Sequence, residues 1–210
     1  KGTLIDFQVG GFEAAFTRTQ ALLQTNQPIF EAGFRAEGAL AFADVMLPIK
    51  QAGKRAWRMV EVKSSTSVKD YHRDDAAVQA FLAYSCGVPL AGIALAHIDS
   101  SWVYPGGGDY SGLLVENDLT DEAFPREAEV RGWIEEAHGI VAKKKEPRVL
   151  TGEQCSAPYE CGFFAYCQSN EPLVEQPLHW LPGAQNKALK AHIEAHGSSE
   201  LRDVPDELLN

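Results

Sequence analysis

Apolar positions recur along this chain first at helical spacing, then in alternation, then at helical spacing again. Phe12, Phe16 and the Leu22-Leu23 pair anchor a helix from Gly11 to Thr25, which Pro28 ends. Residues 29–35 and 38–49 read as two strands around a turn at Glu37-Gly38. Gln51-Ala52-Gly53-Lys54 then leads into a third strand, whose end, residues 57–63, reads Trp-Arg-Met-Val-Glu-Val-Lys. Helical spacing returns over 70–86 (Ala76, Ala77, Phe81, Leu82) and is closed by Gly87-Val88-Pro89. The apolar run 91–98 reads as a buried strand, and a further strand is expected at 112–116 after the loop around Tyr104-Pro105-Gly106-Gly107-Gly108. Thr120, with Asp121 and Glu122, opens an amphipathic helix to about Ala142. Residues 151–170 are turn-rich, and a polar tail carries a helix near 184–196. This order predicts an α/β (α+β) fold, a central mixed sheet flanked by helices over 1–150, with a cysteine-containing segment and helical tail over 151–210.

Two strands carry charge where apolar residues are expected. Asp44 sits in the middle of the second, and Glu61-Val62-Lys63 ends the third. Alternation puts Glu61 and Lys63 on one face and Val60 and Val62 on the other. A buried charge without a partner is costly, so the pair should line a wet cleft or hold an ion. Magnesium or manganese takes oxygen ligands, which Asp44, Glu61 and the carbonyl of Val62 could supply, with Lys63 beside the ion to orient or deprotonate water and to counter charge on a phosphate. Taken alone, a Glu-x-Lys is more often a cross-strand salt bridge on a solvent face.

A net charge of −10 argues weakly against a protein that grips nucleic acid with its whole surface. The distribution is more informative. Between Lys50 and Arg73 seven basic residues, among them Arg58, Lys69 and Arg73, face only Glu61 and Asp70, a local balance of +5 around the Glu-x-Lys. No apolar run approaches the roughly 20 residues of a membrane span, and the start Lys-Gly-Thr-Leu-Ile-Asp does not read as a basic then apolar leader, which leads to the expectation of a cytoplasmic protein without a membrane partner. The start Lys-Gly-Thr, without methionine and inside an element, predicts further residues upstream. Of the four cysteines, Cys155, Cys161 and Cys167 fall close together and so are expected to act together, in a reducing compartment, as a metal or cluster site rather than as disulfides. Cys86 reads as a small buried residue.

The order Asp44, hairpin, Glu61-Val62-Lys63, helix resembles the PD-(D/E)XK nuclease superfamily, whose proline is often absent, as it is here, where Ala43 precedes Asp44. Gln79-Ala80-Phe81-Leu82-Ala83-Tyr84 in the next helix is similar to the Gln-…-Tyr signature of its RecB-like branch, and the segment from Cys155 through Cys161 to Cys167 is similar to the cysteine ending of several RecB-like nucleases. The resemblance covers about residues 30–180. It implies a restriction-endonuclease-like core and a Mg2+- or Mn2+-dependent DNA nuclease, exonucleolytic by analogy. Asp44, Glu61 and Lys63 would be catalytic, Gln79 and Tyr84 would frame the cleft from two sides, and Arg58, Lys69 and Arg73 would hold the DNA backbone. It also implies a [4Fe–4S] cluster on Cys155, Cys161 and Cys167, with a fourth cysteine expected upstream and zinc as the competing metal. The Cys155-to-Cys161 interval is longer than the common spacing, and the first histidine, His72, follows the motif instead of preceding it. The alternative is a nuclease fold without cleavage, a nucleic-acid-binding or assembly module, possibly zinc-stabilised.

Overall fold

The computed structural model describes residues 1–147, 149, 151–171, 175, 176, 187–196 and 200–208. The chain divides into two compact units, Lys1–Glu146 and Pro147–Asn210. The first is a mixed α/β unit built on a six-stranded sheet in the order β1-β2-β3-β4-β5-β6. Its strands are β1 (Thr3–Leu4), β2 (Ile29–Ala36), β3 (Ala39–Gln51), β4 (Lys54–Lys63), β5 (Leu90–Ile98) and β6 (Leu114–Asp118); its helices are α1 (Gly11–Leu22), α2 (Asp70–Ser85), α3 (Thr120–Ala123) and α4 (Glu127–Val141).

Two tight hairpins set the register of the central strands. Ala36 pairs with Ala39 around Glu37 and Gly38, and Gln51 with Lys54 around Ala52 and Gly53. All four loop residues have positive φ, the conformation that matches a two-residue turn to the twist of its strands. The connection from β4 to β5 runs through α2 and leaves those strands parallel, as a helical crossover allows. His72 closes the first turn of α2, its Nδ1 accepting from the Lys69 backbone N–H at 3.1 Å. Gly87, at φ +76°, turns the chain out of the helix before Pro89.

Side chains from one sheet face, Ile29, Phe34, Met46, Trp57, Met59, Ile93 and Leu95, pack with Ala76, Ala80, Phe81 and Leu82 of α2, Ala15 of α1 and Val130 of α4 into the main core. Val60, Ala94 and Ala96 form a small cluster on the other face.

The structure differs from the sequence reading at four places. The helix expected from Thr120 to Ala142 is broken into α3, a 3₁₀ turn at Phe124–Arg126 and α4, because Pro125 has no N–H to continue the ladder. The last strand lies at Leu114–Asp118, ended by Asp118, whose Oδ1 accepts from Thr120 N–H at 2.8 Å. The first helix stops at Leu22, and β1 is too short to produce an alternation.

In the second unit, 3₁₀ turns at Glu153–Cys155, Leu201–Asp203 and Asp206–Leu208 accompany α5 (Phe164–Ser169) and α6 (Lys187–His196). Residues 184–186 of the expected tail helix lie outside the described residues.

Candidate active site

The chemistry gathers where β3 and β4 part. Their ladder runs to Val45 opposite Val60 and stops there, so Asp44 and Glu61 occupy the next facing positions without pairing. Asp44 turns its carboxylate to the neighbouring strand, where Oδ2 accepts from the Val62 N–H at 2.7 Å. A side chain thus takes the place of a ladder carbonyl. On the other side of Asp44, the β2–β3 ladder skips the Glu31–Asp44 position between the Phe30–Val45 and Ala32–Ala43 pairs. Glu31 adopts φ +58°, an unfavourable conformation for a residue with a long side chain. Glu31 and Asp44 are near enough to repel, and that repulsion, after burial, raises the Glu31 pKa.

Glu61 is 4% exposed, pointing into the helix-covered face. Its Oε1 accepts from Lys63 Nζ at 2.8 Å and its Oε2 from Gln79 Nε2 at 2.7 Å. Lys63 Nζ also donates to Asp75 Oδ2 at 2.5 Å. His72, Asp75 and Gln79 share one face of α2 at spacings of three and four residues, which is how a single helix reaches both Lys63 and Glu61. Burial pushes the Glu61 carboxyl up to about 7; the Lys63 hydrogen bond opposes this, and the Asp44 and Asp75 charges add to it. For Lys63 burial favours the neutral amine, but the hydrogen bonds to Asp75 and Glu61 outweigh it and raise the pKa. The ammonium is therefore held charged between the carboxylates of Glu61 and Asp75. Burial, then the Lys63 charge, lowers the His72 pKa.

The sequence reading missed Glu31 and Asp75. Asp75 had a signal, since it falls one turn before Gln79, and so did Glu31, since the register of the Glu37-Gly38 hairpin sets it opposite Asp44. Tyr84 does not join the group. Its hydroxyl donates to the Leu90 carbonyl at 2.9 Å and its ring packs edge-on to Phe124. Leu90 pairs with Trp57, four residues before Glu61 on β4, or about 13 Å along the strand. Positions five apart on α2 diverge, and Tyr84 serves the far end of the crossover.

Arg58 is also elsewhere. It lies three residues from Glu61, hence on the opposite sheet face, and pairs with Glu116 at 2.6 Å. Arg73 is paired with Glu122 of α3. Lys69 is exposed at the N-terminus of α2.

Among the described residues, no three His, Cys, Asp or Glu side chains converge into a ready metal centre. The oxygen set of Asp44, Glu61 and the Val62 carbonyl nonetheless fits a hard divalent cation in kind. Two observations support that fit. Glu61 is buried beside the charges of Asp44 and Asp75 with Lys63 opposing them, and Gln79 Oε1 is buried without a hydrogen-bond partner among the described residues. In the second unit Cys155 is buried, the Cys161 N–H donates to its carbonyl at 2.7 Å, and Cys161 and Cys167 are half-buried. All four cysteines are free thiols. Cys86 lies in the first unit and contacts the Arg35 carbonyl through its sulfur at 3.5 Å.

No family model matches the chain, and no curated protein matches it. The solved structure of SSO0001 is similar over 74% of this chain and 66% of its own, so the chain spans just under two thirds of that protein. At 14% identity and a TM-score of 0.38, the likeness carries no argument about fold family or activity. Among the described residues no helix is long and apolar enough to cross a membrane.

Proposed function

We propose that this protein is a divalent-metal-dependent nuclease with a PD-(D/E)XK-like, RecB-like core, hydrolysing phosphodiester bonds of DNA. The observation that carries the reading is the meeting of Asp44, Glu61 and Lys63 at the end of the β3–β4 ladder, with Glu61 buried among carboxylates. A buried acid at this position weakens the empty fold, and stability alone gives no reason to keep it. Asp44, Glu61 and the Val62 carbonyl would hold Mg2+ or Mn2+, which when bound supplies Lewis-acid polarisation of the phosphate and acidifies water.

The chain's own residues then have distinct tasks. Gln79 fixes Glu61 through Oε2. Asp75 holds the Lys63 ammonium. Lys63, kept protonated by its two carboxylates, serves as a fixed charge that orients the water and offsets the negative charge developing on phosphate. Of the two roles expected from the sequence, orienting the water or deprotonating it, the raised Lys63 pKa favours the first. Cys155, Cys161 and Cys167 would hold a structural [4Fe–4S] cluster, or zinc, in the second unit, as soft thiolate donors suit both. That part of the reading rests on the residue types and their spacing.

The test is cleavage of end-labelled single-stranded DNA with Mn2+ against a chelator control. Metal-dependent cleavage, abolished in Asp44→Ala and Lys63→Ala proteins that keep their fold, is expected. Binding without cleavage under every metal condition would favour the non-catalytic nucleic-acid-binding module instead.

A further inference from the structure

The connection between β5 and β6, residues 99–113, is long for a loop without secondary structure of its own, a length more often associated with function than with linkage. It carries Trp102, Tyr104 and Tyr110, whose rings gather on the surface. Tyr104 and Tyr110 stack at 5.3 Å between centroids, and Trp102 lies 6.2 Å from Tyr110 and 5.8 Å from Tyr104. Tyr110 is 62% exposed and Tyr104 48% exposed, so the group is no core. Two of the rings are held by their polar edges. Trp102 Nε1 donates to the Ser111 carbonyl at 2.9 Å, and the Tyr104 hydroxyl accepts from Gly108 N–H at 2.8 Å. Gly106, Gly107 and Gly108 all have positive φ, which lets the backbone curl back to that hydroxyl.

The loop springs from the end of the sheet that carries the carboxylates. Lys63 pairs with His97 in the β4–β5 ladder, Ile98 N–H donates to the Ser65 carbonyl at 2.9 Å, and Asp99 N–H to Leu113 at 2.8 Å. The loop acids are engaged internally: Asp99 accepts from Ser101 and Asp109 from Ser111. An exposed aromatic stack on a loop that leaves the sheet at the end carrying Glu61 and Lys63 suits one kind of occupant, unpaired bases, which stack on ring faces whatever their sequence, while bases inside a duplex present no free face.

We propose that Trp102, Tyr104 and Tyr110 form a stacking platform that receives unpaired bases of a single strand as its backbone enters the Asp44–Glu61–Lys63 site. The inference rests on the nuclease reading for the identity of the polymer and extends it to the single-stranded state of the substrate.

Fluorescence anisotropy of a labelled oligothymidine, with chelator present to prevent cleavage, tests the platform separately from the chemistry. Loss of one base–ring stack weakens binding by about tenfold, since stacking is worth roughly 1–3 kcal/mol per base. Tyr110→Ala should show that loss, Tyr104→Ala a similar one, and Tyr110→Trp should restore it, each at the wild-type melting temperature. Affinity for a blunt duplex of the same length should not change. Wild-type affinity in the Tyr104→Ala/Tyr110→Ala double variant overturns the platform, as does equal weakening for single strand and duplex, or no binding of oligothymidine by the wild-type protein. A protein that cleaves DNA yet tolerates the double variant would lose the platform and keep the nuclease reading. One that binds single strands through these rings but never cleaves would do the reverse.

Discussion

Replacing Glu61 by glutamine isolates the electrostatic cost built into the site. Burial raises the Glu61 pKa from its ordinary 4.5 to about 7. Because the folded state resists ionisation, the stability contributed by this group is complete below about pH 4.5 and is lost as the pH rises through about 7. At 1.36 kcal/mol for each factor of ten, the displacement corresponds to roughly 3 kcal/mol lost in the metal-free protein at about pH 8. Glutamine keeps the shape and never ionises. Its amide group can be accommodated, because turning the Gln79 amide over would offer the now partnerless Oε1 to the new N–H while Lys63 donates to the remaining oxygen.

Glu61→Gln should therefore unfold like wild type near pH 4.5 in chelator and become more stable above neutrality. The gain should be about 2–3 kcal/mol, or on the order of 5–10 °C in melting temperature for a chain of this size. Thermal melts across pH, followed by circular dichroism, make the measurement. A variant equally stable or less stable than wild type at about pH 8, or an offset that does not vary with pH, would refute the argument that Glu61 is a destabilised acid kept for ligation.

Lys63→Met removes the cation shared by Glu61 and Asp75 and should cost about 2 kcal/mol at neutral pH, below the 3–5 kcal/mol of a fully buried pair because Lys63 is partly exposed. The cost should shrink near pH 5, where Glu61 can take a proton, and urea unfolding at the two pH values checks this. Arg58→Ala should leave the salt dependence of DNA affinity unchanged, since Arg58 faces away from the site and is paired with Glu116, whereas Lys69→Ala should lower the slope by about one ion if that lysine meets a phosphate; anisotropy titrations over a salt series distinguish them. Protein made with iron and kept from oxygen should be brown and lose its colour when Cys161 is replaced by serine. A colourless protein that retains zinc would assign those thiols to the other metal.

Much of the sheet could be read from residues alone, because both central hairpins announce themselves by Glu37-Gly38 and Ala52-Gly53 between alternating strands. The shared face of Glu61 and Lys63 followed from period-two alternation, whereas Gln79 was singled out by the resemblance of Gln79–Tyr84 to the RecB-like signature. What was hidden depends on relations between distant segments. Arg58 looked like part of one basic stretch with Lys63, yet a three-residue offset sends it to the other face. Glu31 joins the acidic group through the register that sets it opposite Asp44, at a position where its backbone leaves the regular strand conformation. Tyr84 matched a signature in linear sequence, but a five-residue step on a helix carries it round to Leu90 and Phe124. The helix break at Pro125 was visible in the sequence and outweighed by the amphipathic pattern around it.

Calorimetric titration with Mn2+ near neutral pH, in buffers of different ionisation enthalpy, tests the proposed centre most directly. Stoichiometric binding should release protons from Glu61, with the release fading above about pH 8, where that carboxyl is already ionised, and both heat and protons should vanish in Asp44→Asn. Absence of Mn2+ binding by the wild-type protein, or binding unaltered by Asp44→Asn, would contradict the assignment of Asp44 and Glu61 as its ligands.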